Sequence, residues 1–451
     1  MDSITAQIRQ TISGKIEGTL ASTSGLTAAA TDLPVPVGAL VDIDNQLGDT
    51  VAAEVIGFQD QLTLLFPLRE MTGIQRGNRV RLRRSRPWLR VGPSLLGRVI
   101  DAQGRVIDGR DQPPLIDCVP QQRSAPGAME RTPIDTPMVT GVRAVDGLLT
   151  CGRGQRIGIL AGAGVGKSVL LGMMARHSTA DVNVIALVGE RGREVNEFIQ
   201  RDLGPEGLRR SVLVVATSDQ PAPLRRQAAF TATAIAEYFR DRRNDVLLVM
   251  DGLTRVAMAQ REIGLAAGEL PATRGYPPSV FATLPRLIER AGRTRQGSIT
   301  ALYSVLVEGD DPHEPISDAV LGLLDGHIRL SRELASAGHY PAIDVLRSIS
   351  RLMPSVAPPE TLRAAGQLRR LLAALDDHRE LISAGAYRAG SNPTVDEALA
   401  RREAIHRYLR QSSQITTSLQ TARDDLSALL APLPCEDPPA RSPAEIPVRV
   451  P

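Results

Sequence analysis

The sequence predicts an α/β chain in three parts: a small β-barrel, a core built on a parallel sheet, and a helical domain. Three observations predict it. Between about 35 and 92, short alternating runs ("GALVDI", "VAAEVIGF", "QLTLLFPL", "NRVRLRR") are separated by Gly, Asn and Asp turns. From about 140, apolar runs end at Leu160, Val188, Ala216 and Met250, with helical stretches between them. After Pro354 the periodicity is helical throughout ("PETLRAAGQLRRLLAALDDHREL", "VDEALARREAIHRYLRQ").

Each part follows from a period. Several short strands at close spacing read as a barrel or sandwich. Nearly continuous apolar strands joined by helical crossovers read as a parallel sheet covered on both faces. The expected boundaries are an amphipathic helical segment over 1–20, with Ile4, Ile8, Ile12 and Ile16 spaced by four, and a barrel over 21–92. A core over 93–355 and a helical domain over 356–432 follow, and 433–451 reads as a Pro-rich disordered tail. No internal repeat is present.

Composition narrows the function. At 451 residues the chain is too long for one core. A net charge of +3 is too balanced for a protein that tracks a nucleic-acid backbone, and aromatics at 3% make the cores aliphatic. Cys118, Cys151 and Cys435 show neither metal spacing nor a disulfide framework, as in a reducing cytosol. The first 18 residues lack the apolar core of a signal peptide, and no stretch approaches the ~20 apolar residues of a membrane span. The expectation is a soluble, cytoplasmic protein.

The chemistry begins with lysine usage. Of 53 basic residues only two, Lys15 and Lys167, are lysines. Lys167 sits in "ILAGAGVGKSVLL", with an apolar strand before it and a helix after it, the context in which a glycine-rich loop binds phosphate. Gly162, Gly164 and Gly166, with Ala163 and Val165 between them, let the backbone curl its N–H groups inward. The helix through Lys167, Ser168 and Val169 adds its positive end. Lys167 would reach the β- and γ-phosphates of a nucleotide as a compact, mobile ammonium, which a planar guanidinium does not match. Ser168 would hold Mg²⁺. Ala161 stands where the full pattern has glycine, the smallest departure available.

Two strand ends add carboxylates. "VLLVMD" delivers Asp251, expected at Mg²⁺ or else as a helix cap, to the edge where the phosphate loop lies. "VIALVGE" delivers Glu190, which can orient and polarise an attacking water, or else begins a solvated helix with Arg191. The loop "EGDDPHEP", with Asp310, Asp311, His313 and Glu314, reads as a solvated turn rather than a metal site.

With these motifs placed, the sequence resembles the hexameric ATPases of type III protein export and, behind them, the catalytic subunits of rotary ATP synthases. The likeness runs from about 93 to 410 and rests on "VGPSLLGRVIDAQGRVIDG", "ALVGERGREVNEFI", "VVATSDQPAPLRRQAAFTATAIAEYFRD", "RGYPPSVFATLPRLIERAG" and "HYPAIDVLRSISR". It implies a RecA-like core, Glu190 as the catalytic carboxylate and Arg191 as a phosphate-side contact. It also implies Tyr340 stacked on adenine, and Arg351 as an arginine finger given to a neighbour's nucleotide. Arg255 is a weaker candidate near the phosphates, and Gly252 stands where export enzymes commonly carry serine. "LISAGAYRAGSNPTVDEAL" resembles flagellar export enzymes more than those of virulence injectisomes.

The implied partners are five further copies of the chain, a regulatory stalk protein at the N-terminal segment, membrane proteins of the export gate, and export chaperones with cargo. The implied place is the inner face of the membrane export apparatus. Four other readings compete with the flagellar one. An injectisome ATPase differs only in the machine served. A rotary synthase catalytic subunit carries an acidic run that 360–430 lacks, and a non-catalytic ring subunit typically lacks the carboxylate that Glu190 supplies. An RNA-driven motor would need aromatic–basic interleaving in the barrel.

Overall fold

The computed structural model describes residues 15–46, 48–307 and 314–432. Six strands close a barrel in the order Glu17–Ser24, Thr27–Thr31, Leu62–Pro67, Thr50–Gln59, Leu40–Asp44 and Arg79–Arg84. Its interior is aliphatic, filled by Leu20, Ala30, Val41, Ile43, Val55, Leu65 and Val80. The first strand begins at Glu17, inside the stretch expected to be helical; Ile4, Ile8 and Ile12 lie outside the described residues. Ile16 packs beneath the barrel, and its carbonyl accepts from the Leu82 amide at 2.9 Å.

Trp88–Val91, expected in the barrel, pairs instead with Asp117–Pro120. Its Leu89 and Val91 are fully buried in the core of the central domain, which settles where the strand belongs. Two contacts hold the barrel down on that core. Phe66 packs among Ala222, Ala259 and Ile263, and the buried Glu54 carboxylate accepts from the Arg226 guanidinium.

The central sheet runs Ile343–Ser350, Gly326–Leu330, Arg156–Ala161, Ser298–Leu306, Asp245–Asp251, Val182–Val188, Ser211–Ala216, Arg98–Asp101. The seven strands after Ile343–Ser350 are mutually parallel; that edge strand returns antiparallel. Every residue of Val182–Val188 and Ser211–Ala216 is buried, as both-face coverage requires. Helices Lys167–His177, Ala222–Arg240 and Leu253–Ala266 cover the faces.

The chain ends in helices Pro359–Asp377, Pro393–Ala400, Arg402–Leu409 and Leu419–Leu429. The Tyr408 hydroxyl donates to the Ala422 carbonyl at 2.9 Å, joining two of these helices, and packs against Gly147 of the core. A methyl at Gly147 would lie 2.0 Å from that hydroxyl, so glycine alone permits the approach. The Pro-rich tail 433–451 lies outside the described residues. Among the described residues no helix is long and apolar enough to cross a membrane.

Candidate active site

The strand Arg156–Ala161 ends in a turn that enters helix Lys167–His177. Gly164 and Gly166 take φ values of +77° and +89°, which L side chains rarely adopt, and Gly166 caps the helix. Val165 anchors the loop in the core at 2% exposed, while Ala163 and Gly164 are exposed and Gly162 half-buried. Ser168 follows Lys167 in the first turn, and Val169 is exposed on the outer side. The turn thus presents the free N–H groups of a helix start.

Lys167 reaches across the strand edges from there. Its Nζ contacts Asp251 Oδ1 directly and lies 3.5 Å from Glu190 Oε1. Asp251 ends its strand two places away in the sheet, about 10 Å at ordinary strand spacing, so a long flexible stem is what the geometry requires. The strand between carries Ser304, whose Oγ donates to Asp251 Oδ1 at 2.6 Å. Asp251 is 2% exposed. It caps no helix: the N-cap position of Leu253–Ala266 belongs to Gly252, without a side-chain bond. Glu190 is well buried beside the lysine and leaves the N-cap of Gly192–Glu197 to Arg191.

The electrostatics follow from burial. Burial opposes the charge on Lys167, but Asp251 and Glu190 outweigh it and hold its pKa above the ordinary lysine value. Burial pushes the Glu190 carboxyl up; Lys167 opposes this and the Asp251 charge adds to it. A carboxyl raised by burial and held beside an ammonium is suited to accept a proton.

Other expected residues fall in three places. The ring of Tyr340, about half exposed, lies against the phosphate loop, where a methyl on Gly166 would come within 3.4 Å of it. Arg255 packs on Gly189 and Gly252, where methyls would meet its stem at 2.5 and 3.3 Å. That contact gives the two glycines a steric role, and the Arg255 charge acts on Glu190. Arg191 stays in solvent, 3.8 Å from Glu194, and joins none of the buried groups.

Arg351 stands at the opposite edge. Its amide donates to the Asp325 carbonyl at 3.0 Å, and Ser350 pairs with Gly326, level with the start of Arg156–Ala161. The six residues of that strand, at ~3.3 Å each, put it roughly 20 Å from its own phosphate loop. Of the acidic loop, Asp310, Asp311 and His313 lie outside the described residues. Glu314 caps helix Pro315–Leu321 by accepting from the Ser317 amide at 2.6 Å. Among the described residues no group of three His, Cys, Asp or Glu could hold a metal ion.

Sequence reasoning missed two neighbours. Ser304 lies mid-strand in "ALYSVL", with nothing local to mark it. Arg332 brings its guanidinium beside Gly162, 3.1 Å from where a methyl would sit.

A parallel sheet with a glycine loop, a lysine and two strand-end carboxylates at one edge defines a nucleoside-triphosphate-binding protein of the phosphate-loop class. The family model of the ATP synthase alpha/beta family, nucleotide-binding domain, matches residues 141–350. The type III secretion EscN ATPase C-terminal domain matches 357–428. The chain is 52% identical over 390 residues to the flagellum-specific ATP synthase of Bacillus subtilis, covering 86% of this chain and 89% of that protein. It is 50% identical to the type 3 secretion system ATPase of Xanthomonas euvesicatoria, over 92% and 94% of the two chains. The assembled EscN ATPase of enteropathogenic E. coli, solved with its central stalk EscO, is 44% identical with a TM-score of 0.85, over 92% of this chain and 100% of that one. The chain belongs to the ATP synthase alpha/beta family, among the ATPases of flagellar and type III secretion systems.

Proposed function

We propose that this chain is a Mg²⁺-dependent ATP hydrolase that works as a ring of six and energises protein export through a flagellar type III apparatus. One observation carries the hydrolase: Lys167, held between Asp251 and Glu190 beneath the glycine loop. The donor set fits the nucleotide and its metal. Lys167 and the loop amides would bind the β- and γ-phosphates, and Ser168 and Asp251 would hold Mg²⁺, with Ser304 fixing the Asp251 carboxylate. The metal would supply neutralisation of phosphate charge. Glu190 would orient the attacking water and take its proton, a task its raised pKa suits. Tyr340 would stack on adenine, and Arg255 would stand behind Glu190 as a second cation.

Arg351 lies at the far end of the sheet from its own phosphate loop, roughly 20 Å by strand rise, which supports a role at a neighbour's nucleotide. Assembly and a stalk are what the EscN structure describes for that protein. We carry both over, with the stalk at the N-terminal segment. The export gate and chaperone–cargo complexes, a cytoplasmic place at the inner face of the membrane and the absence of a nucleic-acid partner belong to the same reading. Relatives of the flagellar and the secretion kind stand at like identity. The flagellar choice therefore rests on "GAYRAGSNPTVDEAL". There Tyr387 donates to Asp396 at 2.9 Å and Asn392 caps helix Pro393–Ala400, so the motif staples one exposed loop.

Phosphate release from ATP tests the activity. It should require Mg²⁺ and vanish in Lys167→Ala; turnover that survives chelation or that substitution refutes the site.

A further inference from the structure

We infer that Gln411 is a positioning residue that ties Tyr340, and through it the base of the nucleotide, to the C-terminal helical domain. Gln411 lies just beyond helix Arg402–Leu409 and is 9% exposed. Its main-chain amide donates to the Tyr340 carbonyl at 3.0 Å. Its side chain is fully engaged: Oε1 accepts from the Arg143 amide at 2.8 Å, and Nε2 donates to the carbonyls of Gly141 and Ile415, both at 2.8 Å.

Three elements therefore meet at one buried residue: its side chain holds the entry to the core at Gly141–Arg143 and the chain beyond helix Arg402–Leu409, and its main-chain N–H holds the Tyr340 turn. Arg143 tightens the same joint. Its guanidinium donates to the carbonyls of Tyr408, Arg407 and Arg410 at 2.7, 2.9 and 2.7 Å, closing the C-terminal end of that helix. Orphan carbonyls at a helix end are normally met by water or by the following turn; here a core arginine meets them. The Tyr340 ring touches Gly166 on one side while its carbonyl is bonded to the helical domain on the other. Moving the helix must move the ring, and a base that fixes the ring must hold the helix.

This inference rests on the reading that Tyr340 faces the base, and a double-mutant cycle separates the two. KM and kcat for ATP and for CTP would be measured with wild type, Gln411→Ala, Tyr340→Ala and the double variant. Gln411→Ala should raise KM for ATP roughly fivefold, the worth of about one hydrogen bond, with kcat little changed and the preference for ATP over CTP reduced. The double variant should match Tyr340→Ala alone, because both act through one ring. If Tyr340→Ala leaves KM unchanged, the base-stacking reading fails. If Tyr340→Ala raises KM but Gln411→Ala does not, or the two effects add, the tie between them is refuted. Should Gln411→Ala melt well below wild type, Gln411→Met takes its place. It keeps the volume but loses every side-chain bond and buries no charge, and the same pattern is expected.

Discussion

Lys167 and Asp251 are 84 residues apart in the chain and form a direct ion pair across two strands of the central sheet. The contact unites the glycine loop with the carboxylate that ends the Asp245–Asp251 strand. It also accounts for the chain's lysine usage. A buried Nζ reaching past one strand to a carboxylate needs a compact head, which a planar guanidinium does not offer.

Lys167→Ala should abolish turnover and weaken ATP binding. Lys167→Arg should fail almost as badly, although the charge is kept. Phosphate release and nucleotide binding on both variants check this; near-native turnover in Lys167→Arg removes the steric explanation.

Ser304→Ala should leave the fold intact and lower turnover about tenfold. A hydrogen bond to a charged group is worth ~1.5–3 kcal/mol, and Asp251 would lose the donor that fixes its rotamer. The defect should be partly overcome by excess Mg²⁺. A Ser304→Ala enzyme with an unchanged Mg²⁺ requirement counts against Asp251 as a metal-side group.

His339 should make the protein acid-labile. It is 2% exposed, neither ring nitrogen has a protein partner among the described residues, and the His406 ring packs 5.6 Å away. Burial, with Arg410 and His406 nearby, pushes its pKa down to about 4 from 6.5. The unfolded chain therefore binds the extra proton first. The stability contributed by the neutral ring is complete above about pH 6.5 and is lost as pH falls toward 4. His339→Leu should flatten the fall of melting temperature over that window; an equal slope in both proteins assigns the lability elsewhere.

Arg351 should act on a neighbour's nucleotide. Arg351→Ala and Lys167→Ala rings should each be nearly inactive, since a finger supplied in trans can be worth ~10³-fold or more. Mixed rings contain interfaces that pair an intact loop with an intact finger, so mixing should raise activity above the sum of the parents. Mixed rings confirmed by mass measurement but without recovered activity would show that Arg351 serves no neighbouring site.

What the sequence made legible was local. A phosphate loop is a run of consecutive residues, and Glu190 and Asp251 end strands whose apolar runs are continuous, so all three could be read off the chain. Their meeting depends on sheet order, which periodicity does not encode. Ser304 enters only because Ser298–Leu306 lies between the strand that leads into the Lys167 loop and the strand that ends at Asp251. Trp88–Val91 has the alternation of a barrel strand, yet its partner is Asp117–Pro120, beyond a connector rich in Gly and Pro. Gln411 and Arg143 are 268 residues apart, and no pattern in either segment announces the joint.

The central claim is that the Lys167–Glu190–Asp251 cluster hydrolyses ATP, with Glu190 acting on water. Glu190→Gln tests it most directly, because the amide keeps the shape and loses the base. Binding of a fluorescent ATP analogue and phosphate release should be measured on the same preparation. The account predicts binding within a few-fold of wild type and turnover lower by roughly two orders of magnitude or more. Binding that falls as far as turnover, or turnover that persists, would contradict it.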